Sequence, residues 1–218
     1  MIKVTFLVEG DTEETFVHRV LRSHFFPLGI NPHAQKLGKP GHYTGIVEYP
    51  RGRADILNTL RADADSYCTT MFDYYAMPTS WPGRETADGN PAVIEEAILA
   101  DISAAMAEGF NPARFIPYVQ MHEFEALLFS DPKALAAGLA SVDADTVGQI
   151  REQFQSPEEI DDDPQTAPSK RIQQLDPSYQ KVNDGILIAQ KIGLDAMRAQ
   201  CPHFSQWIGK LEALAAGC

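Results

Sequence analysis

Residues 1–8 form a β-branched, mostly apolar run that stops at Glu9-Gly10-Asp11-Thr12, where glycine permits a sharp turn and Asp11 or Thr12 can cap a helix. From there Phe16, Val17, Val20, Leu21 and Phe25 recur at helical spacing, with Glu13 and Glu14 in a first turn whose dipole favours acids. This helix should stop near Pro27-Leu28-Gly29. Residues 31–45 are rich in Gly and Pro and predict an exposed loop. Residues 53–65, with Ile56, Leu57 and Leu60, predict a second helix, and residues 67–73 a buried strand ending on an acid. Residues 75–91 surround Trp81 with Pro and Gly and carry no period, which predicts a long loop leaving the strand end. An amphipathic helix follows at 94–106, then a short strand at 115–119.

Strands alternating with helices predict an α/β fold, with a mostly parallel four-stranded sheet flanked by helices. After His122 the pattern turns helical, at 123–129, 132–139, 144–154, 185–192 and 204–215. The expected layout is an α/β domain over 1–130 and a helical C-terminal extension over 131–218 packed on it.

Charge narrows the function. The 218 residues carry 30 acids against 18 Lys and Arg, a formal net charge of −12, which excludes a nucleic-acid binder driven by bulk charge. Contact with phosphate would need a local basic patch or metal ions. The excess is uneven: residues 1–60 hold seven Lys and Arg against six acids, and the remainder is strongly acidic. Residues 143–163, with eight acids and one Arg, read as a solvated face. Three cysteines without a C-x-x-C pair predict reduced thiols rather than a disulfide framework or zinc knuckle. No apolar run approaches the roughly 20 residues that span a bilayer, and the opening lacks the look of a signal or transit peptide, so the expectation is a cytoplasmic chain with no membrane partner. An oligomer is compatible with this sequence.

Candidate chemistry lies at the strand ends, where an open parallel sheet places its ligands. Glu9 follows the first strand, Asp73 ends the strand at 67–73, and Glu123 and Glu125 lie just past the last. Carboxylates gathered in one crevice repel one another and must be protonated, paired or bridged by a divalent cation. Magnesium, with manganese as a substitute, suits such an oxygen-only set. Glu13, four residues from Glu9 across the turn, is either a further metal ligand or an N-terminal cap. Gly10 belongs to no P-loop, and His122-Glu123 lacks the H-E-x-x-H spacing of a zinc protease. His122 is equally read as a structural side chain, and Glu123 or Glu125 as an acid favoured by a helix start. Aspartyl-phosphate chemistry would want an acid two residues after Asp73, where Tyr75 stands. Ser169, Lys170 and Arg171 form the densest basic spot of the acidic half, either a phosphate clamp or a capped helix with surface cations. Lys181, Tyr179 and Arg22 are further candidates.

Four blocks, Leu7-Val8-Glu9-Gly10-Asp11-Thr12-Glu13, Phe72-Asp73-Tyr74-Tyr75 with Met77-Pro78, residues 118–129, and Ala167-Pro168-Ser169-Lys170-Arg171, resemble in order the bacterial family catalogued as domain of unknown function 4276. That family is similar to Toprim domains, the α/β module of topoisomerases, primases and overcoming-lysogenisation-defect nucleases. The resemblance implies that Glu9 and Asp73 hold magnesium at a phosphodiester. Glu13 would match the second acid of an E-G-x-x-E form, and Glu123 or Glu125 would replace the D-x-D acid that Tyr75 displaces. It further implies a nuclease in anti-phage defence or DNA repair, with nucleic acid and an ATPase as partners. Two alternatives stand beside it. One is a non-catalytic ATPase partner subunit with a decayed site. The other is a nucleotide phosphohydrolase in which the loop carrying Trp81 caps a small substrate.

Overall fold

A computed structural model describes residues 1–38, 46–160, 163 and 165–216. Its centre is β1 (Ile2–Val8), which pairs in parallel with β2 (Ile30–Lys36) on one side and β3 (Tyr67–Asp73) on the other. Beyond β3 lie β4 (Phe115–Ile116) and β5 (Val119–Gln120), both parallel to it. Val4, Phe6 and Val8 face one apolar core and Leu7 the other, so β1 is covered on both faces, as its unbroken apolar run requires.

The sheet is mostly parallel and helix-flanked as expected, but among the described residues it has five strands rather than four. Residues 31–36, expected as loop, belong to β2. Their alternation is real: Ile30, Pro32 and Ala34 are buried while His33 and Gln35 are exposed. Pro32 disguises it, and β2 tolerates a proline because it is an edge strand. Residues 39–45 of the same expected loop lie outside the described residues. The strand expected at 115–119 divides at Pro117, which has no N–H for the ladder. Across the break the Thr70 hydroxyl accepts from Tyr118 N–H and donates to Tyr118 C=O, each at 2.8 Å, so both backbone groups stay satisfied.

Between β1 and β2 runs one continuous helical stretch: α1 (Asp11–Phe16), a π-helical turn (Val17–Leu21) and α2 (Arg22–Phe25). Its N-cap is Gly10, not Asp11 or Thr12. The chain then returns through α3 (Tyr49–Ala62) to β3 on the far side of β1, and through α4 (Pro91–Ala105) to β4. The direction of strand order therefore reverses at β1 and β3, and the crevice at their carboxyl ends is where such sheets bind ligands.

The later chain is helical: α5 (Pro132–Gly138), α6 (Ala144–Arg151), α7 (Pro168–Leu175), α8 (Ile186–Ile192), α9 (Leu194–Gln200) and α10 (Pro202–Ala216). Residues 123–129, expected as helical, form a 3-10 run (Phe124–Ser130), six of whose seven residues are buried. Phe204, Trp207 and Leu211 of α10 join Val4 and Phe6 in a single core, and Trp207 stacks on Tyr118 at 4.1 Å between ring centroids. Glu158, in the stretch read as a solvated face, is buried and accepts the N–H groups of His203 and Phe204 in the first turn of α10. Cys68 and Cys201 are buried free thiols, and Cys218 lies outside the described residues. Among the described residues no helix is long and apolar enough to cross a membrane.

Candidate functional site

Glu9 is the first residue past β1, and its carboxylate crosses to β3, where it accepts the backbone N–H of Asp73. Glu13 turns back from α1 and accepts Gly10 N–H at 3.0 Å. Glu13 is thus the cap that one reading of the sequence expected, yet it is also buried next to Glu9.

Asp73 closes β3 with its side chain left over. Its backbone N–H serves Glu9, while Oδ1 is buried with no hydrogen-bond partner among the described residues. The chain leaving β5 is fixed against the same strand end: Tyr74 N–H donates to Gln120 C=O and Tyr75 N–H to His122 C=O. His122 sits in the left-handed region at φ 59°, a sharp bend that turns Glu123 and the 3-10 run back under the sheet end. Glu123 accepts Ser169 N–H at 2.9 Å. Glu125, 1% exposed, pairs through Oε2 with Lys181 Nζ at 3.2 Å, and its Oε1 has no hydrogen-bond partner among the described residues. Lys181 also reaches Glu123 Oε1 at 3.7 Å.

Glu123 and Glu125 therefore meet on one ammonium, and Glu9, Glu13 and Asp73 lie close enough to feel its charge. Their electrostatics are those of a crowded, dry site. Burial and then the neighbouring Glu13 push Glu9 up to about 8. Burial drives Asp73 well above the usual carboxylate range, with Glu9, Glu13 and Glu125 adding to it. Glu13 is raised by burial, and Glu125 is raised to about 7 by burial against the opposing pull of Lys181. Burial works against the charge of Lys181, but Glu125, Glu123 and Asp73 outweigh it and hold its proton more tightly than usual. At neutral pH the cluster keeps protons that exposed carboxyls would have lost.

An all-oxygen donor set with unpartnered oxygens on Asp73 and Glu125 fits a hard divalent cation in its chemistry. As the side chains stand, no three His, Cys, Asp or Glu among the described residues enclose a cation position, and Lys181 supplies the local positive charge. A cation would therefore displace protons and the Lys181 contacts.

The basic trio behaves differently from expectation. Ser169 contributes its backbone N–H to Glu123 rather than a hydroxyl cap, and the N-cap of α7 is Ala167. Lys170 is exposed and reaches Gln173 at 3.4 Å. Arg171 donates to Thr166 C=O and lies over the Phe154 ring. Lys181, a minor candidate from sequence, is the cation at the centre, with Tyr179 buried beside Glu125. Arg22 lies on a separate groove. Trp81, in the loop after β3, is 1% exposed, donates to Val47 C=O and packs on Tyr49 and Phe72.

Over residues 8–212 the sequence matches the family described as Domain of unknown function (DUF4276). Among solved structures, the C-terminal region of the Xanthomonas campestris pv. campestris OLD protein is similar over 93% of this chain and 97% of that one, at 16% identity and a TM-score of 0.33. No curated protein matches the sequence.

Proposed function

The chain belongs to the family described as Domain of unknown function (DUF4276), matched over residues 8–212, and on that premise we propose that it is a divalent-metal-dependent protein acting on phosphodiesters, a nuclease of Toprim-like type. The observation that carries this reading is the buried, unpartnered Asp73 Oδ1 at the strand-order reversal, among four further carboxylates. Glu9, Glu13 and Asp73, with Glu123 and Glu125, are the residues that would hold magnesium or manganese. When bound, such an ion supplies charge neutralisation and Lewis acidity at a phosphoryl oxygen.

The chain's own groups have separate tasks. Glu125, set against Lys181 at 3.2 Å, would serve either as a further ligand or as the base for the attacking water. Lys181 stays protonated and meets the charge that builds on the phosphoryl oxygens. Ser169 N–H and Gly10 N–H hold Glu123 and Glu13 in place. The setting we propose is bacterial defence or DNA repair beside an ATPase, by resemblance to the Toprim nucleases.

A second reading has its own support. Lys181 already compensates part of the cluster, and Tyr75 stands where the second acid of a D-x-D would be. Both suit a non-catalytic subunit that docks on an ATPase. Calorimetric titration with magnesium and manganese separates the readings: saturable binding that Asp73→Asn weakens at least tenfold supports the metal site, and no binding at millimolar metal supports the subunit.

A further inference from the structure

A groove of about 500 Å³ runs along β2, outside the acid cluster, lined among others by Lys3, His18, Arg22, Asn31, His33 and Gln35. We propose that this groove binds a nucleic-acid strand by its sugar-phosphate backbone and leads it to the carboxylate cluster. The proposal rests on the reading of that cluster as a phosphodiester site.

The charge of the groove departs from that of the chain. In a protein of net charge −12, its lining carries Lys3 and Arg22 against one acid, Asp63, which pairs with Lys3 at 3.0 Å, so Arg22 is the charge in excess, beside the imidazoles of His18 and His33. Arg22 and His33 are exposed, and the guanidinium of Arg22 lies 5.7 Å from the Phe26 ring. A guanidinium fork and imidazole N–H groups suit phosphate oxygens, and Asn31 and Gln35 add neutral donors of the kind that bind phosphate and sugar.

Its shape is linear. Asn31, His33 and Gln35 are alternate residues of one strand, so they project on one face at intervals of roughly 6.6 Å. Parallel pairing sets Gln35 opposite Leu7, two residues before Glu9, so the upper end of the row stops about 7 Å short of the cluster along the strand direction. A linear array of donors ending beside a phosphodiester site suits a linear polyanion.

An acidic peptide is the competing occupant, and β2 is poorly built for it. A peptide adding to an edge strand needs a regular row of backbone donors. Pro32, at the middle of β2, has no N–H, and prolines in edge strands turn that nitrogen toward solvent.

The test is fluorescence anisotropy with a labelled single-stranded 20-mer in EDTA, over a salt series, on the full chain. Wild type should bind with a salt-dependent affinity. Arg22→Glu combined with His33→Glu should weaken binding at least tenfold and lower the salt slope by about 1 or more. Lys191→Glu, at an exposed position on α8 outside the groove, should leave it unchanged. Thermal melts check that the exposed substitutions fold. Failure of wild type to bind, equal affinity in the reversal variant, or displacement by poly-glutamate at lower concentration than by unlabelled oligonucleotide each overturns the proposal. Manganese binding and hydrolysis of bis(p-nitrophenyl) phosphate, which is too small to need the groove, report on the cluster alone. They should be unchanged in the reversal variant, so loss of the groove and loss of the catalytic reading are read out separately.

Discussion

Lys181 places its ammonium 3.2 Å from Glu125 Oε2, across 56 positions of sequence, and its charge bears on Glu9, Glu13, Asp73 and Glu125. The ion pair is the device that lets five carboxylates share the end of one sheet. Without it, burial would leave them to be neutralised by protons alone.

Replacing the lysine tests that role. Lys181→Met should destabilise the metal-free protein by about 1–3 kcal/mol, less than the ~3–5 kcal/mol of breaking a fully buried pair, because the lysine side chain is 41% exposed. Millimolar manganese should recover part of the loss in thermal melts. A variant as stable as wild type without metal would show that the lysine does not carry the cluster's charge.

The raised acids also set a direction of pH dependence. Glu9 at about 8 and Glu125 at about 7 hold protons in the folded chain that the unfolded chain releases around 4.5. Over that window the folded state binds more protons than the unfolded one, so stability is highest at the acid side and is lost as pH rises toward 8. The melting temperature of the metal-free protein should be lower at pH 8.5 than at pH 6, and Glu125→Gln should flatten the slope. A melting temperature that rises across this range would contradict the assignment.

The loop between β3 and α4 is anchored by core packing. Trp81→Ala should cost about 3–5 kcal/mol, as for a large buried ring elsewhere. Gly52→Ala on α3 should cost about 1–3 kcal/mol, because a Cβ there would lie 2.6 Å from the Trp81 ring. Chemical denaturation measures both, and near-neutral values would mean that the loop is free to move.

Glu158 makes a separate prediction at the start of α10, where it accepts two backbone N–H groups. Glu158→Ala should destabilise by about 1–2 kcal/mol, the usual cost of a lost N-terminal cap. An unchanged denaturation midpoint would assign the residue to the solvated face its surrounding sequence resembles.

What the sequence made legible follows from the range of the interactions. Glu9 and Asp73 could be found because each closes an apolar run, and strand ends are where parallel sheets bind ligands. The capping contact of Glu13 was legible because Gly10 and Glu13 lie within one helical turn. β2 was hidden because Pro32 and His33 contradict strand propensity, which tertiary burial of Ile30, Pro32 and Ala34 overrides. Ser169 and Lys181 had no local sign of their parts. Their partners Glu123 and Glu125 are 46 and 56 positions away, and only helix packing brings them together. The anchoring of the loop by Trp81 had no local sign either, because a loop without period can still be fastened by one buried ring.

The central claim is tested most directly by cleavage of end-labelled DNA and RNA with magnesium or manganese, comparing wild type with Asp73→Asn and Glu9→Gln. Metal-dependent cleavage by wild type that falls at least 100-fold in Asp73→Asn is the predicted result. Cleavage at equal rates in wild type and both variants would contradict it.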